Sequence, residues 1–124
     1  MSLMYPENAI EIIRGSSKTL ALTVTDELGA PVDLTGGRIL FSVKHTVQDD
    51  QPLVQKSSDL LTQVEITTPR EGKAKIYLQP MDTQNLDPIE YTFDVWAVLS
   101  NGKRYPVVLP SIFRVKPGVT LIPL

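Results

Sequence analysis

Short stretches that alternate apolar and polar residues, rich in β-branched side chains and each closed by a turn signal, recur along this chain, and that pattern restricts its fold more than any other feature. No segment keeps apolar residues at helical spacing beyond about two turns, so no helix has a stripe with which to build a core. Thr19 to Thr25 places Leu20, Leu22 and Val24 on one face and mostly threonine on the other, the signature of a half-buried strand. Arg38 to Val47 repeats it, with Ile39, Phe41 and Val43 opposed to Leu40, Ser42 and Lys44. Glu90 to Ser100 is the longest such stretch, and Asn101-Gly102 behind it is the strongest short hairpin signal present.

The remaining stretches are weaker. Ala9 to Arg14 is an apolar run ended by Gly15-Ser16-Ser17. Gln48 to Thr62 reads as a solvated loop with a short edge strand around Leu53 to Gln55. Val64 to Thr67 and Lys73 to Leu78 flank a turn at Thr68 to Gly72, and Pro80 to Leu86 has room for one helical turn capped by Asp82 or Thr83. Pro106 and Pro110 break the arm formed by Lys103 to Leu109 and Ile112 to Val115, which confines it to an edge or bulged position. With 124 residues there is room for one core. The expectation is an all-β, two-sheet antiparallel sandwich of about seven or eight strands spanning 9–117. Residues 1–8 read as an N-terminal extension, in which Ser2-Leu3 before a second Met is compatible with a cloning remnant, and 118–124 as an apolar C-terminal tail.

Composition narrows the chemistry. The absence of cysteine excludes disulfides, thiolate nucleophiles and cysteine metal sites, and a single histidine cannot supply paired imidazoles. A formal net charge of −2 offers little counterion-release affinity for nucleic acid. The start of the chain lacks the basic and apolar regions of a secretory signal, and no apolar run is long enough for a helical membrane span. His45 has Asp49 and Asp50 four and five residues on, but no nucleophile is placed beside it by any motif. Asp49-Asp50 and Asp26-Glu27 lack a calcium-loop spacing, and Arg14-Gly15-Ser16-Ser17-Lys18 lacks the order of a phosphate loop. No catalytic residue, metal site, cofactor or small-molecule substrate is expected.

Two features remain. Asp87, Ile89, Tyr91 and Phe93 stand at alternate positions entering the longest strand, all on one face of it, a spacing that resembles the tyrosine corner of immunoglobulin-type domains. Phe93 then occupies the position of the disulfide cysteine, and an apolar ring takes its place between the sheets. Trp96 alternates to the opposite face, with Thr92, Asp94 and Val98, and the neighbouring strands would add Leu40 and Val108. That face, together with Leu121 and Ile122 of the tail, is the candidate contact surface, unless a loop or the tail folds over it.

Ile13 to Ser17 before an alternating strand, Gly29 to Gly36, Glu71-Gly72-Lys73-Ala74, Tyr91 to Val95, Asn101-Gly102-Lys103 and Phe113-Arg114-Val115 together resemble a recurrent phage and prophage pattern. It is similar to small immunoglobulin-like modules of tail and baseplate proteins, including the N-terminal domain of the baseplate upper protein family, over about Ile10 to Thr120. The resemblance implies a noncatalytic virion structural module, assembled in the host bacterial cytoplasm, whose partners are other tail proteins or further copies of itself. The alternative is a carbohydrate-binding or adhesion module in which Trp96 and a tyrosine such as Tyr105 stack on sugar rings.

Overall fold

A computed structural model describes residues 9–120. Leu121 and Ile122 of the candidate surface lie outside the described residues. Eight strands form among them: β1 (Ile10–Ile13), β2 (Lys18–Thr23), β3 (Arg38–Lys44), β4 (Val54–Ser57), β5 (Val64–Thr68), β6 (Lys73–Leu78), β7 (Glu90–Val98) and β8 (Arg104–Lys116). A single helical turn, α1 (Pro80–Thr83), separates β6 from β7. One sheet runs β1-β8-β7-β3-β4 and the other β2-β6-β5. This order, with the last strands and the third and fourth on one sheet and the second, fifth and sixth on the other, is that of an immunoglobulin-type sandwich.

The alternation expected of each strand is what closes the sandwich. Ile39, Phe41 and Val43 of β3 and Tyr91, Phe93, Val95 and Ala97 of β7 point inward and are buried, as are Leu22 and Val24 with Ala74, Ile76 and Leu78 opposite them. Phe41, Phe93 and Phe113 meet at the centre, their ring centroids 5.7 to 6.3 Å apart in tilted and edge-on pairs. These are all the phenylalanines the chain has. They fill the inter-sheet space that a disulfide and its packed ring occupy in antibody domains.

The sheets are not wholly antiparallel. β1 pairs with β8 in parallel, Ile10 beside Phe113 through Ile13 beside Lys116, because the chain enters at the edge of one sheet and crosses to the other at Gly15 to Ser17. β8 is also not a pure edge strand. It lies between β1 and β7, but β1 covers only its last four residues, so among the described residues Pro106 and Pro110 stand where no neighbour needs their missing N–H. The register of β7 against β8 slips twice, between Phe93 and Val95 and between Val95 and Trp96. Those bulges turn both Val107 and Val108 inward, where they are 2% and 1% exposed. Val108 is therefore a core residue and not part of the outer face; strict alternation fails at an inserted residue.

Two links fix the ends of the sandwich. Gly72, at φ +69°, lets its carbonyl accept from the Val24 N–H (2.8 Å), tying the β5–β6 turn to the end of β2. A Cβ there would press on the carbonyl oxygen of Val24 and lie 2.9 Å from that of Val32. On the opposite edge, Lys56 faces inward from β4, level with Phe41, and its ammonium pairs with Asp82 of α1 at 2.7 Å. Asp82 also accepts from the Gln79 N–H at 2.6 Å, which makes it the residue that caps α1 from its third position rather than its first.

Candidate functional site

The tyrosine corner forms at the entry to β7. Tyr91 is buried and its hydroxyl donates to the Asp87 carbonyl at 2.8 Å. Burial pushes the phenol above its ordinary pKa, and the Asp87 carboxylate adds to the rise. The group is a structural clamp. Ile89 does not share the inward face: the Ile89 N–H reaches back to the Asp87 carbonyl at 2.9 Å, a tight turn that delays the alternation, and its side chain is 43% exposed.

The polar groups singled out as candidates for chemistry are occupied in turns. Asp49 accepts from the Thr46 N–H at 3.1 Å, and His45 is exposed, its ring 5.9 Å from that of Tyr91. Asp26 caps its own turn through the N–H groups of Leu28 and Ala30, each at 2.9 Å. Gly15 donates to the Thr83 hydroxyl at 2.8 Å, and Ser16 donates to the Ile13 carbonyl, so Arg14 to Lys18 is a crossing turn. No group of three or more histidines, aspartates or glutamates sits together as a metal cage would require among the described residues. None of their helices is long and apolar enough to cross a membrane.

The outer face of the five-stranded sheet is built in rows. Leu40 of β3, Trp96 of β7 and Pro106 of β8 stand side by side in one row. Arg38, Val98 and Arg104 form the row beyond it. Leu40 and Val98 are half-buried and Trp96 is 38% exposed, so neither the loop after β3 nor any other described segment covers the indole. On the other side of Trp96 lies a polar row that crosses three strands: Gln55 of β4, Ser42 of β3 and Asp94 of β7. The Trp96 indole N–H donates to the Asp94 carboxylate at 3.1 Å, which fixes the plane of the ring.

Leu40 and Trp96, the polar row, and Lys44 with Thr92 beyond it form the floor of a groove of about 380 Å³. Val47, Asp50 and Pro52, from the loop between β3 and β4, make one wall, and Pro110, carried outward by the β8 bulge, reaches the other side. Tyr105 is not beside Trp96; it pairs with Ala97, whose side chain is in the core. The alternation of β7 was enough to put Asp94 and Trp96 on one face. Gln55 and Ser42 join them only through the registers of β3 with β4 and β7, which no local signal in the sequence specifies.

A second cleft, apolar and about 190 Å³, opens between the sheets along β2 and is lined by Ile10, Leu20, Leu22, Val95 and Val108 among others. In comparisons with known proteins, no family model and no curated protein matches the chain.

Proposed function

We propose that this chain is a noncatalytic structural module of a phage or prophage tail or baseplate, working through protein contacts made by the outer face of its five-stranded sheet. The observation that carries the reading is the row Leu40, Trp96 and Pro106 with Val98 beyond it: outward-facing apolar side chains from three adjacent strands, Trp96 exposed and the other three half-buried. A large aromatic side chain held in place and rimmed by arginine is the composition of an interface anchor, since it removes much apolar area from water at little entropic cost. Arg38 and Arg104 flank Val98 in the next row, and Arg38 is itself held by Asp59 at 2.7 Å. The turn chemistry that resembles tail and baseplate modules supports the choice of assembly.

Size-exclusion chromatography with light scattering tests it, on the chain alone and mixed with the products of neighbouring genes. The expected result is a defined complex or oligomer that Trp96→Ala dissociates while leaving the fold intact. A strict monomer that recruits none of those products overturns the proposal.

A further inference from the structure

We propose that the groove beside Trp96 is a binding site for a neutral saccharide, one pyranose ring lying against the indole and its hydroxyls meeting the polar row below. The inference goes beyond the assembly reading, with which it shares Leu40 and Trp96, and does not depend on it.

Three properties of the groove carry it. First, the platform is fixed before any ligand arrives. The bond from the indole N–H to Asp94 holds the ring at the edge of the groove, and a β-strand backbone sets its position. An indole face has a negative quadrupole, and the C–H face of a pyranose offers it weakly positive hydrogens, so stacking there needs no charge on the ligand.

Second, the polar row supplies both halves of a hydroxyl's hydrogen bonding. Ser42 and Gln55 each carry a donor and an acceptor, and neither side chain is hydrogen-bonded to another described residue. Asp94 engages the indole through one carboxylate oxygen, leaving the other to accept from a hydroxyl. Adjacent strands lie ~4.8 Å apart, so the three side chains present a ladder of polar groups ~10 Å long, the scale of a sugar ring with its substituents.

Third, size and charge limit what fits. The volume of about 380 Å³ falls within the range of small-molecule clefts. Asp50 and Asp94 against Lys44 leave the lining acidic by one charge, which disfavours phosphorylated or carboxylated sugars.

Trp96 is the only tryptophan in the chain, so its emission reports on the groove without labelling. The whole chain is titrated with glucose, galactose, N-acetylglucosamine and their short oligomers, followed by fluorescence and by saturation-transfer NMR. At least one neutral sugar is expected to give a saturable shift in emission. Trp96→Ala, read by NMR, should weaken binding by at least ~10-fold and Asp94→Asn by about the same order, since each removes a principal contact. Leu28→Ala, far from the groove at a fully solvated turn, should leave binding unchanged, and circular dichroism confirms that each variant is folded. If no member of the panel binds, or if Trp96→Ala binds as the parent does, the proposal is overturned. A partner protein that masks Trp96 emission while every sugar fails removes the saccharide site and keeps the assembly reading; sugar binding by a strict monomer does the reverse.

Discussion

Lys56 and Asp82 form the one ion pair of the described residues in which both side chains are largely withdrawn from water, at 7% and 13% exposure, and their separation gives a prediction whose size follows from the structure. Asp82→Asn keeps the side-chain oxygen that accepts from the Gln79 N–H, so α1 retains its cap. What it removes is the only counter-charge that the described residues give a buried ammonium. Breaking such a pair from one side costs ~3–5 kcal/mol, because the remaining charge has lost its water and gained nothing. Asp82 keeps some exposure, which lets water reach the Lys56 head group and places the expected cost at the lower end, ~3 kcal/mol.

Lys56→Met acts differently. It keeps an unbranched apolar stem against Phe41, removes the charge that needed a partner and leaves Asp82 with one donor and partial solvent access. Its expected cost is ~1–2 kcal/mol. The double variant should then be no less stable than Lys56→Met by more than ~0.5 kcal/mol, since Asn beside Met strands no charge, which corresponds to a coupling of ~2–3 kcal/mol. Urea denaturation followed by circular dichroism measures all four proteins. In a domain of this size ~1 kcal/mol moves Tm by about 4 °C, so Asp82→Asn should melt ~12 °C below the parent. Additive single effects, or an Asp82→Asn variant within ~0.5 kcal/mol of the parent, would refute the reasoning.

Other outcomes follow from single contacts. Tyr91→Phe deletes the hydroxyl bond of the corner and nothing else, so it should cost ~1 kcal/mol in urea denaturation, with Asp87→Ala nearly neutral because the acceptor is its backbone carbonyl. Gly72→Ala must take φ +69° and meet two carbonyl oxygens, and a loss above ~3 kcal/mol is expected; Gly29→Ala, at φ +84° in open space, should lose only ~1 kcal/mol. Glu11, Asp33 and Asp59 have pKa values below the ordinary carboxylate range, held down chiefly by Lys116, Thr35 and Arg38 respectively. A depressed carboxylate stabilises the fold above its unfolded pKa and ceases to as pH falls through the folded one, so stability should decline from about pH 4.5 downward, and 0.5 M salt should flatten that slope.

How far the fold was legible depended on whether alternation ran unbroken. In β2, β3 and β7 every inward position is apolar, and those strands are readable to within a few residues of their observed ends. The Phe93 position could be assigned for the same reason, because Tyr91 and Phe93 are separated by one residue with no bulge between them. Strict alternation misplaces Val108 because it is a parity rule: one extra residue in β8 between the partners of Trp96 and Val95 reverses parity there, and the second slip restores it for Phe113 and Val115. Ile89 was misplaced by a turn that the Asp87-Pro88 pair announces but whose hydrogen bond only the fold reveals. The inward lysine of β4 was hidden too, since Lys56 looks like a solvent-facing residue of a polar loop until Asp82 arrives from a segment 26 residues later.

The irregularity of β8 also bears on what the surface can do. A regular β8 would have continued the flat sheet beyond the pair of Trp96 and Pro106, with Val108 opposite Asp94, an apolar side chain at the end of the polar row. The bulges instead draw Val107 and Val108 into the core and push Leu109 and Pro110 out, so the sheet gains a raised edge on one side of Asp94 and Trp96. The loop that carries Val47 and Pro52 raises the other. A flat apolar face suits a second protein alone, whereas a trough with a polar floor and one oriented indole also holds a small polar ring. If deleting two residues, Val107 and Val108, removed both slips and restored strict alternation, the trough should flatten and sugar binding should fail, while Leu40, Trp96 and Val98 stayed available for protein contact. A deletion variant that remains folded and still binds saccharide as the parent does would separate the groove from the bulge and remove this link between the core and the surface.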